Sequence, residues 1–349
     1  MKILIITQVL DINHPILGFF HRWVEEFATQ CTEVHVIALQ VGEYHLPANV
    51  FVHSLGKEHG QSRIKYLWRF YSLIWKYRKD YDSVFVHMNQ MYVILGAPVW
   101  RLLRKKIGLW YAHGTVSLSL KMAVKLADTV FTSTPQGLQI DTPKRVIVGQ
   151  GIDMELFSYK ERTSNQIPRF IVDGRIAPSK NIDVLLRACA LVQNSGQKFF
   201  FTIVGAPITP KEHAYAKELK ALVQELQLTE CVRWYGGVTQ AQLVPLLHES
   251  DIYIHDGATQ SLDKVLVQAV VTGLPTISSN KAFTIIAEPI APDIVFSAHY
   301  SAELAKKINK IVALSSQSTK DLMWPLIQKF RSIYSIEQLI SAIITQYKS

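Results

Sequence analysis

The sequence predicts an α/β protein made of two Rossmann-like domains of parallel sheet, facing each other across a cleft. Three observations predict it. Short apolar, β-branched runs alternate with amphipathic helical stretches along almost the whole chain. The alternation restarts after a polar stretch near the middle, and the 349-residue length suits about two domains of ordinary size. Apolar runs of four to seven residues joined by helical crossovers imply parallel strands covered on both faces.

In the first half the expected strands are Ile3–Thr7, Val34–Leu39, Val84–His87, Gly108–Ala112 and Val130–Ser133. Between them lie helical stretches such as Phe20–Thr29, Ile64–Lys79 and Val93–Arg104. The second half offers Arg169–Val172, Phe199–Val204, Val232–Tyr235, Ile252–His255 and Thr276–Ser278. "YKERTSNQIPR" (159–169) reads as the connection between them, giving expected domains 1–158 and 166–330. A terminal helix over about 331–349 is expected to pack back on the first domain; Ser335 with Gln338 forms a capping-box pattern at its start. Ligands of open α/β sheets bind outside the carboxyl ends of the strands, so the residues just after each strand matter most.

The helix expected over 63–79, "RIKYLWRFYSLIWKYRK", mixes Lys and Arg with Tyr, Trp and Phe. Ile64, Leu67, Trp68, Tyr71, Ile74 and Trp75 follow helical spacing, which reads first as a stripe packed on the sheet with a solvated basic back. Phe70 and Tyr77 fall outside that stripe, among the cations. Together with "RLLRKK" (101–106) they suggest, as the second reading, an anionic membrane surface.

The apolar fraction of 48% and charged fraction of 19% are those of a globular chain, and no apolar run reaches the ~18 residues of a spanning helix. The opening "MKILIITQVLDINHP" fits a buried first strand better than a signal peptide. Three scattered cysteines suggest a reducing, cytoplasmic setting without a disulfide framework or a zinc site. A net charge of +9 suits an anionic partner of some kind: nucleic acid, lipid or a phosphorylated substrate.

After the strand at 169 comes "DGRIAPSKNIDVLLRA". The Gly174 turn, Arg175, Lys180 and a helix beginning near Asn181 form a site for a di-anion such as a pyrophosphate. A surface loop with two solvated cations is the bland alternative. Residues 258–277, "ATQSLDKVLVQAVVTGLPTI", place Gln260 in a loop and Gln268 in an otherwise apolar helix. Gln268 is then either a buried polar group or part of a cleft. Asp80-Tyr81-Asp82 precedes its strand and reads as punctuation, not as a metal site. His21, His35, His53 and His59 read as structural.

"GRIAPSKNIDVLLRACALV", "AVVTGLPTI" and "VGQGIDMELF" (148–157) together resemble family 4 (group 1) of the glycosyltransferases, retaining enzymes of the GT-B fold. The resemblance is strong in the second half and weaker in the first. It implies that Arg175 and Lys180 hold the donor's diphosphate, with Gly174 in the same turn. It places His113, in "WYAHGTVS", near the reacting carbon of the donor sugar, and Gly18 in the first loop, where the backbone approaches donor or acceptor. The family's Glu-x7-Glu signature falls on Gln260 and Gln268. The second position ordinarily accepts from ribose hydroxyls, which an amide does more weakly than a carboxylate. Ser261, Leu262, Asp263 and Lys264 match a variant donor loop whose backbone N–H groups serve whatever the side chains, with Lys264 as a further cation.

The resulting expectation is a retaining hexosyltransferase that needs no metal or cofactor beyond its nucleotide diphosphate sugar donor. Its acceptor is a glycan, lipid-linked or small-molecule hydroxyl in cell-surface glycan or glycolipid synthesis. It works in the cytoplasm or peripherally at the inner face of the membrane, and nucleic acid is not a partner. The alternatives are a non-catalytic sugar-nucleotide-binding protein and a GT-B sugar-nucleotide epimerase.

Overall fold

The computed structural model describes residues 1–257 and 259–349. The chain forms two compact units: Met1–Gly151 with Tyr334–Ser349, and Ile152–Ile333.

In the first unit the strands are β1 (Lys2–Leu10), β2 (Glu33–Val41), β3 (Val50–Ser54), β4 (Ser83–His87), β5 (Lys106–Trp110), β6 (Thr129–Thr132) and β7 (Arg145–Ile147). They form a seven-stranded sheet in the order β3-β2-β1-β4-β5-β6-β7, every pairing parallel. Ile3, Leu4, Ile5 and Ile6 of β1 are all buried, because both faces of this central strand are covered. The edge strands β3 and β7 escape the sequence pattern: "VFVHS" is half-exposed and "RVI" too short to show a period.

The helices here are α1 (Phe19–Gln30), α2 (Arg63–Lys76), α3 (Gln90–Leu102) and α4 (Leu118–Leu126). Helix α2 overturns the stripe read from the sequence. Phe70 and Ile74 are buried, and Tyr66, Leu73 and Tyr77 pack against the same core. Phe70 lies against Tyr92 and Trp100, with ring centroids 5.2 and 6.1 Å away, while Tyr77 lies against His35 and His53 at 4.8 and 4.4 Å. The helix therefore rests on a narrow 66/70/73–74/77 seam. Of the six stripe residues only Ile74 is inside; Ile64 is 80% and Trp68 72% exposed, and Leu67, Tyr71 and Trp75 are exposed too. Periodicity marked an apolar face, but aromatic partners at Tyr92, Trp100, His35 and His53 decided which face is held down.

The second unit contains β8 (Arg169–Asp173), β9 (Phe200–Val204), β10 (Val232–Gly236), β11 (Ile252–His255) and β12 (Thr276–Ser278). Its parallel sheet runs β10-β9-β8-β11-β12. The helices are α5 (Ile182–Asn194), α6 (Pro210–Glu225), α7 (Gln240–Glu249), α8 (Lys264–Val271), α9 (Lys281–Ala287), α10 (Ser301–Val312) and α11 (Ser316–Ile333). Residues 159–169 are tied into this unit. Arg162 donates to the carbonyls of Leu247, Ser250 and Thr272, and Asn165 donates to Asp251. Strand order reverses between β8 and β11, opening a crevice between their carboxyl ends.

The last helix, α12 (Ile336–Lys348), belongs to the first unit. The Ser335 hydroxyl caps it by accepting from the Gln338 N–H at 3.3 Å. Ile336, Leu339, Ile340, Ile343, Ile344 and Tyr347 join Phe85 and Phe131 in one core. Tyr347 donates its hydroxyl to Val84 O at 2.7 Å, and a Cβ on Gly108 would lie 2.1 Å from that hydroxyl. The mid-strand glycine of β5 thus marks a close approach of the terminal helix.

Candidate functional site

The crest of the second sheet is built from two loops, one leaving β8 and one leaving β11. Asp173 ends β8, and Gly174 follows at φ 124°, a conformation L-residues avoid. Gly205 after β9 is the matching small residue, since a Cβ there would sit 1.8 Å from Gly174 O. Arg175 then reaches Glu212, with Nε 3.3 Å from Oε1. That carboxylate is itself held by the N–H groups of Ile208 and Thr209 at the start of α6. A 3-10 turn, Pro178–Lys180, leads through Asn181 at φ 44° into α5.

Lys180 does not stand as a solvated cation. Its Nζ lies 2.6 Å from Asp263 Oδ2, and both side chains are largely buried. Asp263 ends the loop from β11 and occupies the N-cap position of α8 without capping it. Its carboxylate instead accepts from three groups: Lys180, the His255 Nε2–H at 3.0 Å, and the Thr259 hydroxyl at 2.8 Å. With Nε2 protonated toward Asp263, the His255 Nδ1 accepts from the Ser278 hydroxyl at 3.1 Å, so the ring is neutral with both nitrogens used. Burial pushes the His255 pKa below its ordinary value despite the carboxylate beside it. Burial alone would raise Asp263, yet Lys180 and His255 hold its carboxyl well below the usual range. Asn280 closes the loop by donating to the carbonyls of Thr259 and Ser261, each at 3.0 Å.

At the end of β8, Asp173 is buried and accepts from the Tyr253 hydroxyl at 2.8 Å. Burial raises its pKa from 3.8 to about 6. A carboxyl with a raised folded pKa binds its proton more tightly in the native state. Its contribution to stability is therefore complete below pH 4 and is lost as pH rises to about 6, about 3 kcal/mol in all. Asp173→Asn is expected to flatten the fall in melting temperature between pH 4 and 6; an unchanged slope would remove Asp173 as its source.

The structure sorts the residues named from the sequence. Gly174, Lys180 and Asp263 meet at the crevice: a Cβ on Gly174 would lie 3.8 Å from Lys180 Cε, and Lys180 is paired to Asp263. Leu262 is a core side chain at 1% exposure, and Ser261 is buried. Gln260 is half-buried in the loop. Burial pulls the Lys264 ammonium well below the ordinary lysine range, unlike the simple further cation expected. Gln268 is 3% exposed in α8.

Gly18 and His113 lie in the first unit. A Cβ on Gly18 would come 2.7 Å from His14 O and 2.8 Å from Ile12 O, so the glycine lets its own loop fold tightly before α1. His113 follows β5 and is exposed. Its N–H donates to Gly137 O at 3.0 Å, and its Nδ1 accepts from the Thr115 N–H at 3.2 Å. The neutral ring therefore carries its proton on Nε2, a hydrogen-bond donor exposed to solvent.

His35 and His53 are bonded to each other at 3.1 Å, His35 also to Glu33, and His21 accepts from the His45 N–H; His59 is exposed. Tyr81 is buried and Asp82 accepts from the Lys2 N–H. Among the described residues no three His, Cys, Asp or Glu side chains are grouped to hold a metal ion, and no helix is long and apolar enough to cross a membrane. Sequence reasoning missed Asp173, Tyr253, His255 and Thr259. His255 carried the same signal as His113, a histidine directly at the carboxyl end of an apolar strand.

Residues 154–322 match the family model of group 1 glycosyl transferases. The amylovoran biosynthesis glycosyltransferase AmsK of Erwinia amylovora is 27% identical over 140 residues, covering 38% of this chain and 33% of that protein; the match thus spans about a third of its length. HepE of Anabaena superposes with a TM-score of 0.78 at 17% identity, with 100% of both chains covered. Sucrose-phosphate synthase of Thermosynechococcus elongatus superposes with a TM-score of 0.80 at 14% identity over 100% of this chain and 98% of that one. Two parallel-sheet units with a GT-B architecture over the full length accompany that family match within the second unit, and together they make the chain similar to the group 1 glycosyltransferases.

Proposed function

We propose that this protein is a retaining hexosyltransferase that moves a hexose from a nucleotide diphosphate sugar to a hydroxyl acceptor, without a metal, in cell-surface glycan or glycolipid synthesis. One observation carries the reading: Arg175, Lys180 and the start of α5 are gathered on the β8 loop, beside the reversal of strand order. A diphosphate leaving group gathers negative charge as its bond to the sugar breaks. Two cations and a helix N-terminus stabilise that charge in place. HepE is described in complex with UDP and with UDP-glucose, which supports a nucleotide sugar donor here, and AmsK is named for amylovoran biosynthesis.

The test is product analysis with labelled nucleotide sugars and candidate acceptors, in the presence of a chelator. Transfer with retention supports the reading. An epimerised donor would make the protein a GT-B epimerase, and binding without turnover a sugar-nucleotide-binding protein.

Gln268 serves this reading as the ribose acceptor, with Gln260 dispensable. Gln268→Ala is expected to raise the donor KM several-fold, while Gln268→Glu preserves or lowers it by restoring the stronger acceptor. A well-folded but inactive Gln268→Glu protein would show that another residue meets the ribose.

The exposed face of α2 supports peripheral docking at an anionic membrane. Trp68 and Trp75 stand on it, and Arg78 lies 4.7 Å over the Trp75 ring. Amphipathic aromatics suit the headgroup region, and each nearby cation adds about 1 kcal/mol. Sedimentation with phosphatidylglycerol-containing vesicles is expected at low salt and lost at high salt. A Trp68→Ser, Trp75→Ser double variant should stay in the supernatant. Wild type that never sediments would favour a soluble acceptor.

A further inference from the structure

Within the donor loop, the contacts of Asp263 single it out. Lys180 comes from the β8 loop, His255 from the end of β11, and Thr259 from the loop that precedes α8. Three donors from three places converge on one largely buried carboxylate, at 2.6, 3.0 and 2.8 Å. A carboxylate so placed can act on a diphosphate site in two opposite ways. It can merely cancel the charge of Lys180, weakening the site. Or it can hold an otherwise mobile ammonium at one point, so that little ordering remains when the anion arrives.

The geometry favours holding. Charge cancellation needs only proximity, whereas this carboxylate is itself oriented by the neutral His255 ring and the Thr259 hydroxyl. The His255 ring in turn is fixed by Ser278. Lys180 sits on a 3-10 turn followed by a left-handed Asn181, where the backbone does little to aim a four-carbon stem. The same carboxylate ends at the N-cap position of α8, so holding Lys180 also ties the β8 loop to the first turn of that helix.

We propose that Asp263 is a positioning residue of the donor site, which aims Lys180 at the diphosphate and locks the β8 loop to the start of α8. This deepens the donor-site reading and rests on it. The residue acts through Lys180, so its importance must vanish when Lys180 is gone.

The experiment is a double-mutant cycle on Lys180→Ala and Asp263→Asn, read by calorimetric binding of UDP, with inorganic pyrophosphate as a probe independent of the base. Asp263→Asn is expected to weaken binding about tenfold in the wild-type background. In the Lys180→Ala background it should cost nothing, or restore affinity, because the buried carboxylate has lost its cation there. An equal loss in both backgrounds, or tighter binding by Asp263→Asn alone, overturns the proposal. Thr259→Val provides a milder form of the same test should Asp263→Asn not fold: a twofold to threefold loss in wild type and none with Lys180→Ala, with equal losses again overturning it. In nitrogen-15 histidine spectra, the protected Nε2–H signal of His255, assigned by its absence in His255→Gln, should disappear in Asp263→Asn; its persistence counts against the proposal. Wild type that binds neither UDP nor pyrophosphate would overturn the donor-site reading itself, and the proposal with it.

Discussion

Lys180→Ala is expected to weaken binding of the nucleoside diphosphate by about a hundredfold, and Arg175→Ala by about tenfold. The two differ because their surroundings differ. A charge-assisted hydrogen bond contributes about 1.5–3 kcal/mol when shielded from water and less when exposed. Lys180 has a side chain 18% exposed, whereas that of Arg175 is 50% exposed and shares its charge with Glu212. Removing Lys180 also leaves Asp263 buried and ionised beside the incoming anion, which adds repulsion to the lost contact. Calorimetric titration with the free nucleoside diphosphate measures both. Unchanged affinity in both variants would sink the assignment of this loop to the diphosphate.

His113→Ala is expected to lower turnover about a hundredfold or more while changing nucleotide affinity no more than twofold to threefold. The proposed role is donation from Nε2–H to the transferred sugar as charge develops, and loss of one such preorganised donor typically costs ~10²–10³ in kcat. The Thr115 N–H fixes the tautomer, so the donor is ready before substrate arrives. Because the ring is exposed, its removal should leave the melting temperature nearly unchanged. Steady-state kinetics, nucleotide titration and a thermal melt separate the possibilities. Equal losses in turnover and affinity, or a collapsed melting temperature, would make His113 a structural residue.

Both loops of the candidate site were legible in the sequence. Gly174, Arg175 and Lys180 follow a strand and precede a helix, and "SLDK" follows another strand in the same way, so both could be placed at the carboxyl ends of a parallel sheet. What spacing could not tell is that Lys180 and Asp263, 83 residues apart, are bonded to each other. It also gave no sign that burial lowers the pKa of the half-buried Lys264 beside them. Charge counted along a chain treats each cation as free, and only burial and partners decide how much of it remains.

The order of strands and helices was set by local chemistry: continuous Val, Ile and Phe runs can only be buried on both faces, and amphipathic stretches must cover them. That logic is carried within each segment, which is why β1, β4, β8 and β11 were readable and the short or half-exposed β7 and β3 were not. Tertiary structure decided what depends on distant partners. The face of α2 that is buried was chosen by rings at Tyr92, Trp100, His35 and His53, and the position of the Lys180 ammonium by a carboxylate on another loop. Periodicity records that a side chain is apolar or charged; only the surface that meets it determines whether it packs, pairs or stays in water.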